Sequence, residues 1–137
     1  MNICQGLTEV MKVSHNQLVK LSLQAPKQYK VYAIPKRTSG KRIIAHPSKE
    51  VKKYQSELVK LMELDFSIHQ CAFAYKKGTS IKINAQQHQH SKYLLKMDFQ
   101  NFFNSISSKL FLYKLAQSGI EISKYDKDLI EHLAFWC

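Results

Sequence analysis

The chain reads as an α+β protein, and three observations lead there. Residues 29–46 alternate in the two-residue period of strands around a turn, whereas the segments before and after repeat at helical spacing. Serines stand one residue ahead of several of those helical runs, where a hydroxyl can cap a helix start. A second strand-like run, Tyr93-Leu94-Leu95-Lys96-Met97-Asp98, stands apart from the hairpin and delivers an acid to its carboxyl end.

Two short helices open the chain. The first is expected over roughly Leu7–Val13. The second follows Ser14, with Gln17 placed to complete a capping box, Leu18, Leu21 and Ala25 facing inward, and Pro26 as its stop. Tyr29–Pro35 then reads as a strand, Thr38-Ser39-Gly40 as a turn, and Lys41–His46 as the returning strand. On that return Arg42, Ile44 and His46 share one face and Ile43 and Ala45 the other. Ser48 caps a helix whose inner stripe is Val51, Tyr54, Leu58, Leu61 and Met62, with Lys49, Lys52, Lys53 and Lys60 elsewhere around it. A looser segment, 68–79, leads to a short helix capped by Ser80 and carrying Ile81, Ala85 and His88. After the strand ending at Asp98, Ser107 or Ser108 starts a helix through Leu110, Phe111, Leu115 and Ala116, with Gly119 as its stop. A last helix begins near Ser123 or Tyr125 and runs through Leu129, Ile130, Leu133 and Trp136.

Composition narrows the classes. At 137 residues the chain has room for one small domain or a part of a larger one. No stretch approaches a membrane span, and polar residues from Asn2 onward break any signal-peptide pattern. Three cysteines, Cys4, Cys71 and Cys137, are odd in number and lack metal-type spacing, which points to a cytoplasmic location. The His88-Gln89-His90 run falls short of four zinc ligands, so no metal is assigned there. Lys and Arg outnumber Asp and Glu 21 to 10, and residues 27–60 hold ten basic side chains against two acidic ones. Such a surplus suits either a polyanion-facing surface or a merely well-solvated one. The apolar end, Leu133-Ala134-Phe135-Trp136-Cys137, suggests a chain cut short or an end covered by a partner.

Four blocks carry a more specific message. They are Tyr32-Ala33-Ile34-Pro35-Lys36 with Gly40–Pro47; Lys52-Lys53-Tyr54-Gln55; Ala74–Ile81 with Asn84-Ala85 and His88; and Leu95–Ile106, which includes Asp98-Phe99-Gln100-Asn101-Phe102-Phe103. In this order they resemble the amino-terminal part of bacterial retron-type reverse transcriptases, over roughly residues 26–136. The resemblance implies a partial right-hand polymerase. Residues 1–28 would be an N-terminal helical segment, 29–92 the fingers and 93–137 the beginning of the palm, with no thumb. It also implies RNA-templated DNA synthesis that yields a joined RNA–DNA molecule, in a family associated with antiphage defence. Asp98 would then be the first palm carboxylate and bind Mg²⁺, with the Phe99 carbonyl as a further metal contact. Phe103 would block a ribose 2′-hydroxyl. Arg42, with Lys36 and Lys41 behind it, would meet the triphosphate of the incoming deoxynucleotide, and Asn84 and His88 would lie along template and nucleotide. Bland alternatives stand beside each: a turn-starting aspartate, a core phenylalanine, a solvated strand arginine, and hydrogen-bonded packing for Asn84 and His88.

The resemblance also implies a second carboxylate pair in a Tyr-x-Asp-Asp turn, which does not occur in these 137 residues. Asp126 and Asp128 stand at a helix start, where the dipole favours acids without any catalytic role. The chain alone is therefore expected not to polymerise DNA. Two rivals remain: a non-catalytic RNA-binding module, and an assembly subunit docking with a separate chain that supplies the rest of the palm. The expected partners are thus an RNA template or RNA–DNA hybrid, deoxynucleoside triphosphates, and such a chain or a defence effector, but no membrane.

Overall fold

The computed structural model describes residues 2–37, 39–66, 69–74 and 76–136. Thr38, Ile68, Tyr75 and Cys137, on which parts of the expected turn, looser segment and apolar end fall, lie outside the described residues. The elements are α1 (Ile3–Met11), α2 (His15–Gln24), a 3₁₀ turn (Ala25–Lys27), β1 (Tyr29–Pro35), β2 (Lys41–Pro47), α3 (Lys49–Glu63), α4 (Ile81–Gln86), α5 (Phe102–Ser105), α6 (Ser108–Gln117) and α7 (Lys124–Ala134). Helices and a two-stranded antiparallel sheet make an α+β chain. It divides into two compact units, residues 1–65 with 106–137, and residues 66–105.

The first unit is built on capped helices. Ser14 and Gln17 form the expected capping box, in which each side chain accepts from the other's backbone N–H. Ser48, Ser107 and Ser123 accept from the backbone N–H three residues on, which fixes the starts of α3, α6 and α7. The first helix starts earlier than its apolar spacing suggests. Asn2 caps it, and Lys12 ends it in the left-handed region at φ 54. Packed between α1, α2, α3 and α7 are Ile3, Leu7, Leu18, Val51, Tyr54, Leu58, Leu129, Ile130 and Leu133. Each such aliphatic side chain contributes about 1.5–3 kcal/mol on leaving water. Gly6 lets α1 approach α3, since a Cβ there would come within 2.9 Å of Leu61 Cδ1 and Cδ2.

Two polar links tie distant elements together. Gln55 Nε2 on α3 donates to the Tyr29 hydroxyl (2.7 Å) and to the Leu133 carbonyl (2.6 Å). Asp126 is only 2% exposed. Its Oδ1 accepts from the Cys4 backbone N–H at 2.7 Å and its Oδ2 from Ser123 Oγ at 2.8 Å, so one carboxylate serves the N-termini of both α1 and α7. That carboxylate, together with burial, pushes the Cys4 thiol up from its ordinary value, burial being the larger cause. The apolar carboxyl end finds neighbours in its own chain. Phe135 lies 5.7 Å from Phe111 and Trp136 lies 6.2 Å from Tyr29, centroid to centroid. Helix α7 stops at Ala134, so Trp136 falls beyond it.

The second unit is sparsely packed. Ser80 caps α4, Thr79 Oγ reaches the carbonyls of Phe73 and Lys76, and no residue of α4 or α5 is buried. The strand expected over 93–98 does not form. A strand needs a neighbour to take its backbone hydrogen bonds, and among the described residues β1 and β2 pair only with each other. Tyr93, Leu94, Leu95 and Met97 are consequently exposed, Leu95 to 82%.

Candidate nucleotide-handling site

The hairpin forms in the register its alternation requires. Tyr32 faces Ile44, Ile34 faces Arg42, Lys30 faces His46, and Pro35 faces Lys41. Opposed residues project on the same side, so Lys30, Tyr32 and Ile34 share a face with His46, Ile44 and Arg42. At the tip, the Lys36 N–H donates to the Gly40 carbonyl (3.0 Å), and Gly40 takes φ 82, a value that a residue with a Cβ adopts only under strain.

Beneath this tip opens a hollow of about 550 Å³ lined by Ile34, Pro35, Lys36, Arg37 and Arg42. Three basic residues therefore border one small space, with no acid in its lining. Lys36 and Arg42 were expected here. Arg37 was missed, although its place beside Lys36 just past the last paired residue was legible. Lys41 pairs with Pro35 and is not among the lining residues. An anion with several oxygens, such as a phosphate chain, is the kind of ligand that suits a pocket bordered by two arginines and a lysine.

Asp98, Phe99, Phe103, Asn84 and His88 belong to the second unit. Asp98 lies exposed in an irregular stretch. Two residues after Phe99, Asn101 adopts φ 53 and turns the chain into α5, where the Ser105 N–H closes the turn on the Asn101 carbonyl (3.0 Å). Phe99, Phe102 and Phe103 form a small aromatic cluster, with centroid separations of 5.9 Å and 5.5 Å along the series. Phe103 is 74% exposed, so the plain core alternative does not describe it. Asn84 lies in α4, while His88 falls in the turn after it rather than on the helix. Both are exposed, so burial in packing does not describe them either.

Among the described residues no group of three or more His, Cys, Asp or Glu side chains is arranged to hold a metal ion. One exposed carboxylate does not make a Mg²⁺ site, which needs near-octahedral oxygen ligation. The residues present thus do not by themselves fit the pair of ions that the resemblance implies.

Residues 34–136 match the family described as reverse transcriptase (RNA-dependent DNA polymerase), a span that takes in both the basic tip and the Asp98–Phe103 segment. The chain belongs to the reverse transcriptase family. It is 43% identical to the retron Ec83 reverse transcriptase of Escherichia coli over 118 residues, and 34% identical to the retron Ec73 reverse transcriptase of the same organism over 120. The retron Mx65 reverse transcriptase of Myxococcus xanthus is 27% identical over 107 residues. These alignments cover 86%, 84% and 75% of this chain but only 38%, 38% and 25% of the respective relatives. The chain therefore spans well under half the length of the curated relatives it matches. Among the described residues, no helix is long and apolar enough to cross a membrane.

Proposed function

We propose that this chain is the fingers and opening palm of a retron-type reverse transcriptase, acting in the cytoplasm on an RNA template to make the joined RNA–DNA product of an antiphage system. The observation that carries the reading is the family match, because residues 34–136 include the tip pocket and Asp98 together. In this reading Arg42, Arg37 and Lys36 receive the triphosphate of a deoxynucleotide, and Lys41 adds positive charge at the hairpin end without lining the pocket. Phe103 meets the sugar, where an exposed ring can exclude a 2′-hydroxyl. Asp98, with the Phe99 carbonyl beside it, would be one of several ligands that a Mg²⁺ site requires, and Asn84 and His88 lie along the template. Because metal-dependent transfer needs more carboxylates at one site than the described residues gather, the chain alone is expected not to extend a primer.

A chimaera tests the reading. Residues 34–136 replace the matching stretch of the Ec83 enzyme, and extension of a primed RNA template by deoxynucleotides is measured. Extension is expected from the chimaera, none from the isolated chain, and a loss of at least about a thousandfold from Asp98→Asn. A chimaera that keeps full activity with Asp98→Asn refutes the assignment, as does extension by the isolated chain. A second reading, in which a separate chain completes the palm, is favoured by the exposed apolar run Tyr93-Leu94-Leu95 with Met97. It predicts that such a chain co-purifies and restores synthesis on mixing.

A further inference from the structure

A second hollow, of about 260 Å³, opens between α2 and α3 and shares no lining residue with the tip pocket. Gln17, Lys20, Leu21 and Gln24 line it from α2 at the spacing of one helix face, and Glu50 and Tyr54 line it from α3. Tyr54 is the telling member. It is 5% exposed, and its hydroxyl makes no hydrogen bond among the described residues, where no fully enclosed side-chain oxygen or nitrogen lacks a partner. The hydroxyl therefore keeps an opening, and the opening that Tyr54 lines is this hollow. A buried phenol ordinarily finds its partner inside the protein, so this one is left for a ligand. Glu50 is exposed, and its charge is felt at the same phenol, second to burial in pushing it up. Two of the amides are already half committed: Gln17 Oε1 accepts from the Ser14 N–H and Gln28 Oε1 from Ser48 Oγ, each at 2.8 Å. That holds both side chains and leaves each Nε2 free to donate. Lys60 with Glu57 is the one ion pair among the described residues, so Lys20 and Glu50 border the same space uncommitted.

We propose that this hollow binds a free guanine nucleotide, with the base between α2 and α3, its N1–H and N2–H on the Glu50 carboxylate, and its phosphate at Lys20. The lining offers many donors and a single carboxylate, so a ligand must bring adjacent donors for Glu50 and acceptors elsewhere. Guanine is the base that does both. Its N1–H and N2–H lie side by side, while O6, N7 and N3 accept on its other edges. A zwitterionic amino acid gathers its acceptors into one carboxylate, whereas Gln17 and Gln24 stand about 10 Å apart along α2. A guanidinium brings no acceptor at all and would meet Lys20. Val13 and Leu21, both half-buried, add aliphatic surface against which the ring faces can rest. The volume is the share of about nine waters, which suits a bicyclic base with its sugar and phosphate outside. The site goes beyond the polymerase reading and stands without it.

The test titrates the 137-residue chain calorimetrically with GMP, IMP, AMP, guanosine and the trinucleotide UpGpU. GMP should bind with a dissociation constant of about 10–500 µM. IMP, which lacks the N2 amine, should bind roughly 10- to 100-fold more weakly, and AMP, which has no adjacent pair of donors, should give no heat. Base selection separates this hollow from the tip pocket, whose lining holds no carboxylate. Glu50→Gln should weaken GMP by a similar factor and erase its advantage over IMP. Tyr54→Phe should weaken GMP roughly 2- to 10-fold, with an unchanged circular dichroism spectrum showing that the fold is kept. Lys20→Gln should weaken GMP and leave guanosine as it was. The site is overturned by no heat from GMP at about 5 mM, by equal binding of GMP, IMP and AMP, by a GMP preference that survives Glu50→Gln, or by parental affinity in Tyr54→Phe. UpGpU binding more tightly than GMP makes the guanine part of a strand and overturns the assignment to a free nucleotide.

Discussion

Replacing Asp126 should damage this protein far more than its place in a helix first turn suggests. The carboxylate is 2% exposed and accepts from the Cys4 N–H at 2.7 Å and from Ser123 Oγ at 2.8 Å. Hydrogen bonds to a charged acceptor contribute about 1.5–3 kcal/mol each, and Asp126→Ala also leaves the Cys4 amide without its acceptor. Ser123 can turn its hydroxyl elsewhere, which recovers part of the loss. The expected net effect is about 3–4 kcal/mol, a large share of the ~5–15 kcal/mol by which domains of this size are stable. Asp126→Asn keeps an oxygen for the Cys4 amide and turns its NH₂ toward Ser123 Oγ, which can accept. It removes the negative charge shared by two helix N-termini and should lose only about 1–2 kcal/mol. Urea unfolding followed by circular dichroism at 222 nm measures both, with the midpoint moving and the slope held. An alanine variant within about 1 kcal/mol of the parent, or an asparagine variant less stable than the alanine one, would refute the bridging role.

Two further outcomes follow from local geometry. Lys12 ends α1 with a left-handed backbone, so Lys12→Gly should raise stability by about 0.5–1 kcal/mol in the same urea assay; a loss would show that the lysine side chain matters there. Burial pushes the Tyr29 and Tyr54 phenols up, with the Gln55 hydrogen bond partly opposing it at Tyr29 and the Glu50 charge adding to it at Tyr54. Their neutral forms therefore favour the fold, giving stability that is present below the ordinary tyrosine value near 10 and lost as pH rises through the higher folded values. The urea midpoint should fall through the alkaline range and fall less in Tyr54→Phe. A midpoint that climbs with alkalinity contradicts the sign.

What the sequence disclosed was mostly local. Serine caps at 14, 48, 80, 107 and 123 were readable because the accepting hydroxyl and the donating amide lie three residues apart. The hairpin was readable because alternation and a glycine at the turn specify one register. Asp126 was readable as an acid at a helix start, but its partner Cys4 stands 122 positions away and no periodicity announces that bond. The run at 93–98 has strand composition, yet a strand needs a second segment beside it, and among the described residues β1 and β2 pair only with each other. At the candidate site, Lys36 and Arg42 were named from the sequence and the place of Arg37 in the same lining was not, because a turn's conformation decides where residues beyond the last pair lie.

Between the acid at 98 and the ring at 103 the chain passes through Asn101, whose φ of 53 sets the angle at which the two segments meet. That bend is governed by backbone tolerance, which asparagine, aspartate and glycine share and β-branched residues do not. Drift among those three types would leave the corner's shape alone while adding or removing a charge beside Asp98. Evolution can thus retune the electrostatics around the acid without reshaping the bend that orients the phenylalanine.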